Sequence, residues 1–292
     1  LLPPPPRALR PPSHSLPMVG LFRRDVTVAV LASGSGGNCT YVGDGSVGVL
    51  VDCGISTRRI QERMETLGLK DAPIDGVLIT HEHGDHVGSA RVLYKRLLKD
   101  RGQKVPFYMT QGTLEGTPER SRPEGVEILV AGEPFRIRHM QINPFSVPHD
   151  VLDPVAYRVE VGGIAAAVVT DLGRPTKLVT QHMQDLDVLV LEYNHDLQQL
   201  MDGPYPWHLK QRIKGNHGHL SNRQANQLLR DSISDKLKHL VLAHLSEQNN
   251  TPEKALRACN HALEWLKVDH VSVPAAPAHG PAAPISLVSH HW

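Results

Sequence analysis

Apolar positions in this chain fall into short runs that end on polar clusters. VTVAVLA (26–32) reads as a strand entering the glycine turn SGSGGN, and CTYV and VGVLVDC flank GDGS, a hairpin signal. ISTRRIQERMETLGL places Ile60, Met64 and Leu67 at helical spacing, with Ser56 as the expected N-cap. GVLIT reads as a short buried strand and VGSARVLYKRLLKD as the helix after it. Further strands are predicted at VEILV, FRIRHMQI, VAYRVEV and IAAAVVT. DVLVLEY, an unbroken apolar run, predicts a strand buried on both faces. SNRQANQLLRDSI then predicts a helix, HLVLAHL a strand, and TPEKALRACNHALEWL an amphipathic helix. The pattern is that of an α/β chain whose polar clusters sit at strand ends, where open sheets carry their sites.

Composition narrows this picture. The chain has 292 residues, enough to bury a full core. Residues 25–273 show neither a composition break nor an internal repeat, so one folded domain is expected there. The Pro-rich, aperiodic residues 1–24 are expected to be disordered or an upstream extension before Met18. The Pro-, Ala- and His-biased residues 274–292 are expected to form a flexible tail. Lys and Arg number 31 against 30 Asp and Glu, so any attraction of a polyanion must be local. Three cysteines without C-x-x-C spacing argue against a disulfide framework and fit a reducing, cytoplasmic setting. No apolar run approaches the roughly 18 residues of a membrane span, so no membrane partner is expected. The unusual figure is 18 histidines, which points to metal.

The histidines concentrate in VLITHEHGDHVGS (77–89), where His81, His83, Asp85 and His86 follow the strand GVLIT. Residues two apart in an extended segment point the same way, so His81 and His83 can share one metal. Asp85 and His86, past the turn at Gly84, can then face a second. Nitrogen and carboxylate donors together suit zinc, with manganese the alternative in the same shell.

THEHGDHVGS resembles the metal-binding signature of the metallo-β-lactamase superfamily. That resemblance implies an αββα sandwich of two mixed sheets with a dinuclear site between them. It also implies roles for strand-end residues further along the chain. Asp52 in VDCG would support the ligand loop without binding metal. His149 in SVPHD would be the third ligand of the first metal. Asp171 in VVTDLG would bridge both, and His244 in LVLAHLS would hold the second. An aspartate at 171 resembles the phosphodiesterases, nucleases and thioester hydrolases of the superfamily more than its β-lactamases. Glu192 in LEYNHD and His219 in GNHGHLSN resemble the paired motifs of its transfer-RNA 3′-processing nucleases, with His219 as a general acid held charged by Glu192. LASGSGGNCTYV, VPHDVLDPVAYRV, GPYPWHLKQRI and LAHLSEQNN extend the likeness to the YycJ/WalJ group of bacterial nucleases, over about residues 26–273. Its members are associated with 5′-to-3′ exonuclease action on DNA and with DNA repair.

Local charge bears on the same point. From Gly203 to Arg230 the chain has Lys210, Arg212, Lys214, Arg223 and Arg230 and no acid, with Tyr205 and Trp207 among them. Basic residues with aromatics suit a phosphodiester strand. The substrate-contact candidates are Ser33, Ser35 and Asn38 in the glycine turn, with Trp207, Lys210 and Ser221. The expected enzyme is a two-metal phosphodiesterase acting on nucleic acid, DNA before RNA. A metal-bridging hydroxide would attack phosphorus, beside Asp85, and His219 would protonate the leaving oxygen. The alternative is a small-molecule metallohydrolase, such as a thioesterase of the glyoxalase II type, a lactonase or a β-lactamase. His182, His195, His208, His217, His239, His261 and His270 have structural readings, and His195 is the first of them to test because it lies beside Glu192.

Overall fold

Alternation within single strands sets the layering. In the computed structural model, which describes residues 25–102, 104–277 and 279–288, the strand Val188–Glu192 sends Val188 and Val190 into one core and Leu189 and Leu191 into another. The strand Gly48–Val51 likewise divides, with Val49 and Val51 on one side and Leu50 on the other. Successive strand residues face opposite sides of a sheet. A strand apolar at every position therefore needs cover on both faces.

The first sheet is built from β1 (Asp25–Ala32), β2 (Cys39–Gly43), β3 (Gly48–Val51), β4 (Gly76–Leu78), β5 (Phe107–Met109) and β6 (Val126–Ile128). The second contains β7 (Phe135–Ile137), β8 (Met140–Ser146), β9 (Val155–Val161), β10 (Ile164–Val169), β11 (Val188–Glu192) and β12 (His239–Ala243). A last strand, β13 (Ile285–Val288), returns to the first sheet. The orders are β13-β1-β2-β3-β4-β5-β6 and β12-β11-β10-β9-β8-β7. The helices are α1 (Thr57–Thr66), α2 (Gly84–Val87), α3 (Ala90–Arg101), α4 (Gln111–Gly116), α5 (Lys177–His182), α6 (Leu197–Asp202), α7 (Trp207–Ile213), α8 (Asn222–Ser232) and α9 (Pro252–Leu266). One core lies between the sheets, where Val28 and Leu78 meet Val159 and Val241. A second packs α1 and α3 on the first sheet through Ile60, Leu93 and Tyr94. A third packs α8 and α9 on the second through Leu228, Leu229 and Leu263. The result is the expected αββα sandwich. Each fully buried Leu contributes on the order of 1.5–3 kcal/mol.

Local signals in the sequence correspond to observed features. Ser56 caps α1, its side chain accepting from the Arg59 amide. Asp44 closes the β2–β3 turn, accepting from the amides of Ser46 and Val47. FRIRHMQI is two strands and not the one expected. The chain reverses at Arg138, in left-handed backbone (φ 53°), and Ile137 pairs with Met140 across the new hairpin. The segment read as a tail contains β13, which pairs antiparallel with β1, Asp25 opposite Val288. Upstream of it, the amides of Leu240 and Leu242 donate to the carbonyls of Ser272 and Pro274. Residues 272–275 and 285–288 thus cover the open edges of β12 and β1, which would otherwise present unpaired backbone groups. The expected extension at 1–24 lies outside the described residues. No helix among the described residues is long and apolar enough to cross a membrane. Cys39, Cys53 and Cys259 are free and buried.

Strand direction positions the site. β3 and β4 run parallel, as do β10, β11 and β12. Asp52 and His81 therefore leave one sheet at the same end, and Asp171, Glu192 and His244 leave the other together.

Candidate metal centre

Asp52, Asp171 and His244 share an unusual backbone. Their φ angles are 63°, 57° and 53°, in the left-handed region that non-glycine residues seldom occupy. Asp and His tolerate it better than β-branched residues, yet it still costs about 1 kcal/mol or more at each position. In each case the residue lies just past a strand end, after β3, β10 and β12 respectively, with its side chain buried.

The seven ligand candidates converge there. His83 Nδ1 lies 3.1 Å from His81 Nε2 and 3.4 Å from His149 Nε2. Asp171 Oδ2 is 3.0 Å from His86 Nε2, and its Oδ1 is 3.6 Å from His244 Nε2 and 3.8 Å from His149 Nε2. Asp85 Oδ2 sits 3.6 Å from His86 Nε2 and 3.9 Å from His244 Nε2. Donor atoms of His81, His83 and His149 form one group within 4.8 Å of each other, and those of Asp85, His86 and His244 another. Asp171 faces both.

The far side of four of the five rings is anchored. His86 Nδ1 donates to Asp52 at 2.7 Å, and Asp52 also accepts from the amide and hydroxyl of Thr80. The Thr80 hydroxyl is also 3.0 Å from His81 Nδ1. His149 Nδ1 meets the Gly218 carbonyl at 3.1 Å, and His244 Nδ1 meets Glu192 at 2.9 Å. With Nδ1 engaged, His81, His86, His149 and His244 turn Nε2 inward, and His83 turns Nδ1 inward. This is how proteins orient metal-binding imidazoles. The set fits a divalent ion: His244 Nε2 is buried without a hydrogen-bond partner, and imidazole with carboxylate suits zinc or its neighbours.

Electrostatics reinforce the arrangement. Burial opposes charge on Asp85, His86, Asp171 and His244, but neighbouring charges overrule it at all four. The carboxylates of Asp171 and Asp52 hold His86 well above the ordinary histidine range. Those of Asp171, Asp85 and Glu192 raise His244 to about 10. Burial is opposed by His244 and His86 at Asp171, whose carboxyl stays well below the usual range. At His81 burial prevails, and with His86 beside it the ring is pushed well down.

Glu192, fully buried at the end of β11, has a wider role than expected. Its Oε1 accepts from His219 Nδ1 at 2.8 Å as well as from His244, and its Oε2 accepts from the amides of Leu172 and Leu220. Against burial, His219 and His244 lower its carboxyl to about 2. Glu192 in turn raises His219 against the same opposition. His219 is partly exposed and lines, with Ser35, His83, Asp85, Asp171 and His244, a cleft of ≈ 310 Å³.

The substrate-contact candidates divide. Ser35 lines the cleft. Ser33 accepts from the His244 amide at 2.6 Å, and Asn38 receives the Gly34 amide on Oδ1 while its own amide donates to the Asp85 carbonyl. Both brace ligand backbone. Lys210 is buried, donating to the Met201 carbonyl at 2.6 Å. Ser221 caps α8 reciprocally with Gln224. Trp207 is exposed, with the Lys214 ammonium 5.3 Å from its ring, and is not among the residues lining the cleft. Two further cleft residues, Asp150 and Arg212, bond to each other at 2.6 Å. Asp150 adjoins His149 in sequence, but nothing in the chain pairs it with a residue 62 positions on. His195 is fully buried, with neither ring nitrogen hydrogen-bonded.

Residues 48–245 match the family model described as "Beta-lactamase superfamily domain". The chain is also 32% identical over 239 residues to exodeoxyribonuclease YycJ of Bacillus anthracis, covering 81% of this chain and 88% of that one. The chain belongs to the metallo-β-lactamase superfamily, in its YycJ/WalJ group. Exodeoxyribonuclease WalJ of Streptococcus pneumoniae is 31% identical over 229 residues, 78% of this chain and 84% of its own. The superfamily fold is also that of YhfI from Bacillus subtilis, with a TM-score of 0.64, 15% identity and coverage of 88% and 99%.

Proposed function

We propose that this protein is a metal-dependent nuclease, a 5′-to-3′ DNA exonuclease serving DNA repair. The observation that carries the reading is the Glu192–His219 hydrogen bond at 2.8 Å beside the Asp171 carboxylate. A buried carboxylate holding a partly exposed imidazole protonated suits expulsion of a poor alkoxide leaving group. A thioester or β-lactam needs less such help, which weighs against the small-molecule alternative. The names of the YycJ and WalJ relatives point the same way.

His81, His83 and His149 would hold one ion and Asp85, His86 and His244 a second, with Asp171 shared. We take these to be zinc, with manganese the alternative. When bound, they supply charge stabilisation to the phosphate and an activated nucleophile. The chain's own residues do the rest. Asp52, Thr80, Glu192 and the Gly218 carbonyl fix ring orientation. His219 presents Nε2 to the cleft and gives its proton to the departing oxygen. Ser35 and Arg212 line the approach of the strand.

The test is purified protein with Zn²⁺ or Mn²⁺ on end-labelled single- and double-stranded DNA and RNA, products resolved by length, alongside elemental analysis. Stepwise shortening of DNA from the 5′ end and about two metals per chain are expected. No cleavage of any nucleic acid, with thioester or lactone turnover instead, would replace this reading with the alternative.

A further inference from the structure

α8 and α9 pack on the second sheet through one face each, and a second face of each helix borders an open groove. Arg223, Asn226 and Arg230 follow one another at spacings of three and four along α8. Lys254, Arg257, His261 and Trp265 do the same along α9. Such spacings align side chains on one side of a helix. Two adjoining cavities of ≈ 520 and ≈ 270 Å³ lie between these stripes and share Arg223, Asn226 and His261. Asp196 is the one acid lining them, and it lies 3.6 Å from the Lys254 ammonium.

Two features of the groove leave charge and aromatic surface open to solvent. Among the described residues, Arg223, Arg230 and Arg257 are exposed and have no ion-pair partner. Trp265 is 68% exposed, with the Arg230 guanidinium 5.7 Å from its ring. An indole left in water beside unpaired guanidinia is a stacking platform inside positive charge, the combination that retains single-stranded nucleic acid. The groove also starts near the cleft. Arg223 is four residues beyond His219, so their Cα atoms are at most about 14 Å apart. From there the eleven residues of α8 run about 16 Å.

We propose that this groove is a second contact for the substrate strand, outside the cleft, with phosphates on Arg223, Arg257 and Lys254 and an unstacked base on Trp265. The proposal rests on the nuclease reading for the identity of the strand, and it gives the enzyme a way to keep hold of a single strand between cuts.

The experiment compares the wild type with Arg223→Ala/Arg257→Ala and with Trp265→Ala. Binding is read by fluorescence anisotropy of a labelled oligothymidylate of about 20 nucleotides, longer than the site of one binding module. Its phosphorothioate linkages keep the charge and resist hydrolysis. Turnover of bis-p-nitrophenyl phosphate, too small to reach the groove, reports an intact fold and cleft. The double variant should lower the slope of log affinity against log salt by about 1.4, since each phosphate contact on a single strand contributes about 0.7. Trp265→Ala should weaken binding about five-fold or more with the slope unchanged. Both should turn over the small ester as the wild type does. Wild-type affinity and slope in both variants overturn the proposal, and would leave the groove to an acidic protein partner. A wild type that binds the strand through these residues but cuts no natural nucleic acid would refute the nuclease reading while leaving the groove as a strand-binding site.

Discussion

Glu192 accepts the Nδ1 hydrogen of His244 at 2.9 Å on the same oxygen that takes the Nδ1 hydrogen of His219 at 2.8 Å. One carboxylate thus joins a candidate metal ligand to the candidate general acid. Because its other oxygen takes two backbone amides, all four partners are donors. Glutamine cannot replace it in either orientation, since its amide would point N–H at one pair or the other. Glu192→Gln is therefore expected to lower affinity for the second metal by about 10–100-fold. Activity should fall on natural and activated substrates alike. Unchanged metal titration by calorimetry would show that the link to His244 carries no weight.

His219→Ala should behave differently, because it removes the proton donor and leaves His244 anchored. Loss on DNA should be about 10²–10⁴-fold, or about 3–5 kcal/mol in the barrier. Bis-p-nitrophenyl phosphate, whose leaving group needs no proton, should lose far less. Equal losses on both substrates would assign His219 to supporting the site instead.

Asp171→Asn keeps a side chain that tolerates the left-handed backbone at φ 57° and removes the charge shared by both ligand groups. Hydrolysis should fall at least about 10²-fold, since charge stabilisation by bound metal is worth several kcal/mol. Thermal unfolding should stay cooperative. A variant with near wild-type turnover would mean the ligand assignment is wrong at its centre.

Gly54 lies against the ligand loop, and a Cβ there would collide with the Asp85 carbonyl. The two segments are also joined by the Cys53 amide donating to the His86 carbonyl at 2.8 Å. Gly54→Ala should destabilise the fold by about 1–3 kcal/mol and weaken metal binding, because the loop must move. Denaturant melts with and without EDTA measure both effects; an unchanged midpoint in each would rule out this contact as a constraint.

Asp44 makes an acid-stability prediction far from the site. Despite burial, His139 and the amides of Ser46 and Val47 lower its carboxyl from 3.8 to about 2. A depressed carboxyl stabilises the fold above its unfolded value and loses that contribution as pH falls through the folded one. The wild type should therefore lose about 2 kcal/mol between pH values of about 5 and 2 that Asp44→Asn does not. Parallel stability curves for the two proteins across that range would contradict the assignment.

Much of this protein was determined by sequence alone, because the relevant physics is local. The unbroken apolar run VLVLE, which needs cover on both faces, and the Ser56 cap depend on neighbours a few residues away, as does the dense H-x-H-x-D-H run that marks a ligand loop. Apolar runs ending on Asp52, Asp171, Glu192 and His244 likewise identified the strand ends that carry chemistry. Tertiary structure decided what depends on distant segments meeting. Lys210 reads as a substrate contact until its ammonium donates to the Met201 carbonyl, and Ser33 until its hydroxyl oxygen accepts from the His244 amide. Neither bond has a sequence signature, because hydrogen bonding at separations such as the 211 residues between Ser33 and His244 is set by how strands stack. The strand at 285–288 looked like tail because four residues of modest apolarity form a strand only where an edge such as β1 awaits them. Glu192 shows the division most clearly. Its place at a strand end was legible, but its bond to His244 exists only because β11 and β12 run parallel in register, Glu192 opposite Ala243.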